Sequence, residues 1–268
     1  MPRAVPSSLT FERGPLVPVV AYLVVVAVLS GLLFVSSTAS PPPILGMAWG
    51  GLLAALAVGA LAVEGVSPRT LFPSLRSLVS ALAVLSAFWG LYNLAAVGLA
   101  LGGVAAWSGV AAHPLPYLAA LASSFLFTAV PEELFFRGYL QEKCVALAGG
   151  DARRAIVVGV AVTAVLFALF HLPRWVLASG HGVSAALGVR LAGLTAMGLA
   201  YGLVYAMTAN LWLVALLHAT MNYPPLVVTV PSERHLLVGV VEYAAVVTVV
   251  AVALWVLGPD RTALVRPR

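Results

Sequence analysis

The feature that most constrains this chain is a series of apolar runs, each about as long as a bilayer is thick. A helix needs about 20 apolar residues to cross the hydrocarbon core. Because lipid cannot satisfy exposed backbone groups, such runs predict an all-α fold: a polytopic transmembrane helical bundle of about eight membrane-spanning helices. The runs lie near residues 16–36, 44–63, 77–101, 117–140, 154–172, 189–207, 210–229 and 236–257.

Composition excludes the soluble classes. The 268 residues are 62% hydrophobic and only 9% charged, whereas a soluble domain is about 25% charged. We interpret the net charge of +5 as cytoplasmic flanks that orient the chain, with the lipid bilayer as partner and no nucleic acid. No repeat or soluble segment interrupts the runs, so residues 1–268 are predicted to form a single membrane domain.

The basic residues indicate the orientation. With the N-terminus in the cytoplasm, most Lys and Arg fall on the cytoplasmic side, and only Arg174, Arg190 and Arg234 fall outside. This bias predicts that both termini are cytoplasmic. A composition rich in Ala, Val, Gly and Arg, with Lys143 as the single lysine, favours a prokaryotic plasma membrane.

An adjacent pair of acidic residues stands out in the fourth run. Glu132 and Glu133 point about 100° apart on a helix, so they face different neighbours. Glu133 and Arg137 are four residues apart and share a face, which predicts a structural ion pair. Glu132 has no basic residue at helical spacing. We therefore expect Glu132, rather than Glu133, to serve as a general base.

Two histidines and an asparagine occur in later runs. His171 ends an apolar stretch, and His218 and Asn222 share one face four residues apart. Ionisable groups in membrane helices are costly and mark functional sites, so a shared site with Glu132 is expected. Two chemistries fit. Glu132 and His171 would activate water while His218 and Asn222 stabilise an oxyanion, or Glu132, His171 and His218 would bind a catalytic zinc ion.

Two other classes of function use the same residues. An ion-coupled membrane transporter could employ Glu132 and the histidines as a proton relay, although carriers usually show repeats and broken helices. A non-catalytic scaffold or immunity protein would use the polar cluster only for packing. Gly198 and Gly202, four residues apart, are typical of close helix packing.

Three motifs together carry a family resemblance. They are Glu132-Glu133-x-x-x-Arg137, Phe167-x-x-x-His171 and His218-x-x-x-Asn222. In this order they resemble the CAAX-prenyl-protease and bacteriocin-processing (CPBP, or Abi) family of intramembrane proteases. The resemblance covers roughly residues 117–225, which would form the catalytic core.

The resemblance implies a bundle of about eight helices with its site in a membrane cavity. It implies hydrolysis of a peptide bond in a peptide or lipidated-protein substrate. Glu132 would activate water with help from His171, and His218 and Asn222 would polarise the scissile carbonyl. Glu133, Arg137 and Phe167 would support the site. The family is labelled as metalloproteases, so one zinc ion is an expected cofactor, although a metal-free glutamate mechanism has also been argued.

The depth of the site sets a condition on the fourth helix. At about 1.5 Å of rise per residue, a fourth helix ending at residue 140 would leave Glu132 too close to the cytoplasm to meet His171. A helix extended to about Leu147 would bring Glu132 nearer mid-bilayer and place Glu142 and Lys143 in the interface. The sequence therefore predicts a fourth helix longer than hydropathy alone suggests.

Overall fold

The computed structural model describes residues 9–37, 44–71, 74–102, 106–107, 113–150, 152–180 and 182–229, and within these ranges the chain forms a helical bundle. The helices are α1 (Leu16–Ser37), α2 (Ile44–Val63), α3 (Leu75–Leu101), α4 (Pro114–Leu147), α5 (Arg153–Phe170), α6 (Ala185–Thr208) and α7 (Leu211–Asn222). A 3₁₀ turn at Pro68–Thr70 follows α2, and a π-helical turn at Arg174–Ala178 follows α5.

The expected polytopic helical bundle is confirmed. Within the described ranges, six helices are long and apolar enough to cross a membrane. Large apolar side chains such as Leu16, Val20 and Leu23 on α1 are exposed, as lipid-facing residues are. The predicted eighth run, 236–257, lies outside the described residues.

The seventh run forms a shorter element than predicted. Instead of a span over 210–229, helix α7 ends at Asn222 after 12 residues, about 18 Å of rise against a core of about 30 Å. Pro224 and Pro225 follow, and proline cannot continue a helix. The chain then forms a two-residue antiparallel ladder between β1 (Ala106–Trp107) and β2 (Val228–Thr229).

Helix α4 is the centre of the bundle and reaches Leu147, as the depth argument predicted. It packs against α2, α5 and α7, and every residue from Pro131 to Gln141 is buried. Two π-helical segments, Phe125–Ala129 and Leu134–Gln141, interrupt it on either side of the Glu pair.

The first π segment lies beside a proline. Pro131 has no N–H, so the carbonyl of Phe127 lacks its usual partner four residues on. That carbonyl packs against Gly50 of α2, where an added Cβ would lie 2.0 Å from the oxygen. A glycine on α2 therefore permits the close approach of α4 at this level.

Helices α5 and α6 hold the other side of α4. A Cβ at Gly198 would lie 2.9 Å from Cα of Ala164 on α5, so the predicted packing role of this glycine is confirmed. Gly202 lies against Gln141 of α4, whose Nε2 donates to the Gly202 carbonyl at 3.0 Å. The two glycines thus bring backbone acceptors, as well as space, to the bundle interior.

A second buried ion pair ties the start of the chain to α2 and α4. Lys143 Nζ lies 2.8 Å from Glu64 Oε2, and both side chains are buried. The N–H of Arg13 donates to the same oxygen at 3.0 Å, and Lys143 also donates to the Arg13 carbonyl. Glu64 and the segment before α1 therefore cover Lys143 within the protein, and its place in the membrane interface stays a prediction.

Candidate active site

Glu133 links α4 to α7. Its Oε1 accepts a hydrogen bond from His218 Nδ1 at 2.7 Å, and its Oε2 lies 3.1 Å from Arg137 Nε. The second contact is an ion pair whose angle falls outside hydrogen-bond geometry. The predicted pair of Glu133 with Arg137 is present, and the same carboxylate also orients a histidine.

Arg137 is a buried cation with several compensating neighbours. A terminal nitrogen donates to the Gly198 carbonyl at 3.1 Å. The guanidinium carbon lies 4.7 Å from the ring centre of Phe167 and 5.5 Å from that of Tyr201. Carboxylate, carbonyl and aromatic faces together offset the cost of burying this charge.

Glu132 is buried but has an uncommitted oxygen. Its Oε2 has no hydrogen-bond partner among the described residues and lies 3.9 Å from His218 Nε2. That separation exceeds a direct hydrogen bond, which requires about 2.7–3.2 Å. The two neighbouring glutamates therefore differ: Glu133 is engaged on both oxygens, whereas Glu132 directs one oxygen toward a histidine nitrogen.

The ring of His218 is held on several sides. Since a carboxylate can only accept, His218 Nδ1 carries the proton in its bond to Glu133, which leaves Nε2 toward Glu132. The Tyr201 ring stacks on the imidazole with centroids 5.1 Å apart and planes at 22°. Phe167 presents an edge from 5.9 Å.

His171 lies where α5 ends. Its Nδ1 donates to the Phe167 carbonyl at 2.8 Å, so its Nε2 carries the lone pair in the neutral ring. The Phe167 ring lies 4.9 Å from His171 and also contacts His218. Phe167, which sequence analysis placed in a supporting role, therefore lies in contact with both histidines.

Asn222 lies at the exposed edge of the cluster. It is the last residue of α7, one turn beyond His218, and its side chain is exposed. Its Nδ2 lies 3.5 Å from the hydroxyl of Ser124 on α4, a long hydrogen bond. Asn222 thus shares a helix face with His218 while staying accessible from outside the bundle.

The comparison with protein families identifies the segment that contains these residues. Residues 113–224 match the family described as type II CAAX prenyl endopeptidase Rce1-like. These residues form an Rce1-like domain. The resemblance inferred from the three motifs is thereby confirmed. No curated protein and no solved structure matches the chain.

The Rce1-like domain contains the whole predicted working set, from Glu132 on α4 to Asn222 on α7. The fold brings Glu132, Glu133, Arg137 and His218 into one buried cluster. His171 joins this cluster through Phe167, and Asn222 lies at its rim. Helices α1 to α3 lie outside the match, although α2 packs directly on α4.

Glu132, His171 and His218 are the predicted zinc-binding set. Among the described residues, no three His, Cys, Asp or Glu side chains are placed to hold a metal ion. Hydrogen bonds from Nδ1 of His218 and of His171 leave Nε2 of each ring for another partner. Zinc binding by these residues stays a prediction.

Sequence reasoning missed two partners of the site. Tyr201 lies three residues beyond Gly198 on α6, so both fall on one helix face, and that face points to the cluster. Ser124 lies two turns before Glu132 on α4. The spacing of Tyr201 from Gly198 is the one sequence signal that could have indicated it, and only the packing of α6 on α4 and α7 selects it.

Proposed function

We propose that this protein is an intramembrane endopeptidase that hydrolyses a peptide bond in a membrane-associated or lipidated substrate, with Glu132 as the general base. One observation carries the proposal. Inside an Rce1-like domain, a buried carboxylate oxygen without a hydrogen-bond partner lies 3.9 Å from a histidine nitrogen. That oxygen suits the activation of a water molecule, because it can accept a hydrogen bond from water at about 2.8 Å, while the neighbouring histidine nitrogen is left for the substrate carbonyl.

The reaction begins with that water. Glu132 accepts its proton as the oxygen attacks the scissile carbonyl carbon. His171, whose Nε2 lone pair is free, accepts a hydrogen bond from the remaining water proton. The C–N bond then breaks, and the proton held by Glu132 passes to the leaving amine.

The developing oxyanion needs hydrogen-bond donors. Asn222 supplies an amide N–H at the open rim of the cluster. His218 donates from Nε2 when its ring is protonated, since Nδ1 is already bonded to Glu133. Removing one such donor typically costs about 100–1,000-fold in rate.

The test is cleavage of a panel of fluorogenic lipopeptides by the purified protein in lipid nanodiscs. We expect Glu132→Gln to lower kcat by at least about 100-fold, because general base catalysis contributes about that much. The matched control is Glu142→Gln, because Glu142 is a partly buried carboxylate on the same helix. This variant should keep wild-type activity. Equal cleavage by wild type and Glu132→Gln would overturn the assignment of the base.

A further inference from the structure

A stacked aromatic ring forms part of the wall of the site. Tyr201 on α6 is 2% exposed, and its ring lies parallel to His218, with centroids 5.1 Å apart and planes at 22°. The Tyr201 ring also contacts Arg137, whose guanidinium carbon lies 5.5 Å from the ring centre, and Phe167, whose ring meets it edge-on at 6.4 Å.

The contacts among Glu133, His218, Tyr201 and Arg137 form a closed circuit of four side chains. Glu133 binds His218 through Oε1 and Arg137 through Oε2, and Tyr201 contacts the same two side chains on another side. Glu133 fixes one point of the imidazole, at Nδ1. The imidazole turns about its Cα–Cβ and Cβ–Cγ bonds, and one hydrogen bond at Nδ1 opposes that rotation at a single atom. Rotation about these bonds would turn Nε2 away from Glu132.

We infer that Tyr201 is a positioning residue, whose ring fixes the plane of the His218 imidazole so that Nε2 faces Glu132 and the scissile bond. The inference rests on the proposed function for its catalytic consequence. The face of the Tyr201 ring, rather than its hydroxyl, restrains the imidazole, because the two rings are stacked with their planes at 22°. Phe167 meets His218 edge-on, at 79°, and so restrains the ring from a different direction.

The experiment compares Tyr201→Phe with Tyr201→Leu. An aromatic pair is worth enough to change a rate by about 3- to 10-fold. We expect Tyr201→Leu to lower kcat by that factor with KM unchanged, and Tyr201→Phe to retain kcat. Phe88→Leu removes a buried ring from α3 and serves as the control for general loss of packing; its kcat should equal that of wild type.

An arm independent of activity uses thermal unfolding of the same proteins. In a double-mutant cycle, the losses of unfolding free energy caused by Tyr201→Leu and by His218→Ala should be non-additive. The reason is that each substitution removes the same contact, the stack of Tyr201 on His218. Should Tyr201→Leu fail to fold, Tyr201→Met, which keeps an apolar side chain of similar length, replaces it in both arms.

Three results would overturn the inference. They are wild-type kcat in a folded Tyr201→Leu, a kcat for Tyr201→Phe as low as that for the leucine variant, and strict additivity in the unfolding cycle. If wild type cleaves none of the lipopeptides, the proposed function fails, while the unfolding cycle still decides whether Tyr201 holds His218.

Discussion

Glu132 and Glu133 are neighbours in sequence with opposite environments. Glu133 hydrogen-bonds His218 through Oε1 and forms a 3.1 Å ion pair with Arg137 through Oε2. Glu132 Oε2 also has no hydrogen bond among the described residues, and it lies 3.9 Å from His218 Nε2. A side chain that is fully engaged supports the fold, and one that is buried without a partner costs stability. Substitution of Glu133 should therefore lower the stability of the protein, whereas substitution of Glu132 should lower its activity and leave its stability intact.

Glu133→Gln tests the supporting role. The substitution leaves the buried Arg137 without its carboxylate, so we expect a loss of about 3–5 kcal/mol in the free energy of unfolding. The measurement is chemical or thermal unfolding in detergent. Glu132→Gln is the matched control one residue away, and it should unfold at or above the wild-type midpoint. A Glu132→Gln midpoint as low as that of Glu133→Gln would contradict the division.

At the scale of elements, the close approach of α2 to α4 at the first π segment requires the glycine at position 50. A Cβ at Gly50 would lie 2.0 Å from the Phe127 carbonyl oxygen, whereas one at Gly51 would meet nothing within 4 Å. This difference exists because the chain turns Gly50 toward the π segment beside Pro131 and Gly51 away from it.

Gly50→Ala should separate α2 from α4. We expect it to destabilise the protein by about 3 kcal/mol, at the upper end of overpacking effects. Gly51→Ala should instead be neutral or stabilising by about 0.5–1 kcal/mol, because alanine is the better helix former. Unfolding midpoints of the two variants check the prediction, and equal midpoints would show that this close approach is absent.

The Glu64–Lys143 pair ties the segment before α1 to α2 and α4. Glu64→Leu or Lys143→Met alone leaves one buried charge without its partner, so each should cost about 3–5 kcal/mol. The double variant removes both charges and should cost clearly less than the sum of the single changes. Unfolding of all four proteins measures the coupling. If the losses of unfolding free energy in the two single variants add up to the loss in the double variant, Glu64 and Lys143 are not in contact.

At the scale of the whole molecule, the orientation in the membrane remains a proposal from the basic residues. It predicts that the turn after α4 faces the cytoplasm and that the turn after α5 faces the opposite side. Ala148 and Ser179, both exposed, mark these two turns.

Single cysteines test this orientation in a Cys144→Ser background, which removes the native thiol. In intact cells, a membrane-impermeant thiol reagent should label Ser179→Cys and not Ala148→Cys. In inside-out vesicles the pattern should reverse. Labelling of both positions from one side would show that α5 does not cross the membrane as proposed.

The alternative of an ion-coupled carrier also belongs to this scale. A carrier would move a solute or proton across sealed proteoliposomes whether or not it cleaves a peptide. We expect proteolysis without vectorial transport. Transport by wild type together with no cleavage of any substrate in the panel would favour the carrier over the endopeptidase.

Much of this protein is determined by sequence alone, because lipid leaves few choices. A helix is the simplest way to satisfy backbone groups in hydrocarbon, so long apolar runs predicted the bundle and most helix positions. Charges are so costly in that solvent that the few present pointed to Glu132, Arg137 and His218. The spacing of Glu133 and Arg137 also predicted their ion pair.

Tertiary structure decided what helical spacing could not. It decided that Glu133 also binds His218, that Tyr201 stacks on that ring, and that Lys143 is buried against Glu64. It also showed that α7 stops at Asn222, short of a full span. These outcomes depend on which faces of separate helices meet, and the period of one helix does not carry that information. The physical reason is that lipid solvates an apolar helix face as well as another helix does, so close contacts at glycines and paired polar groups select the partners.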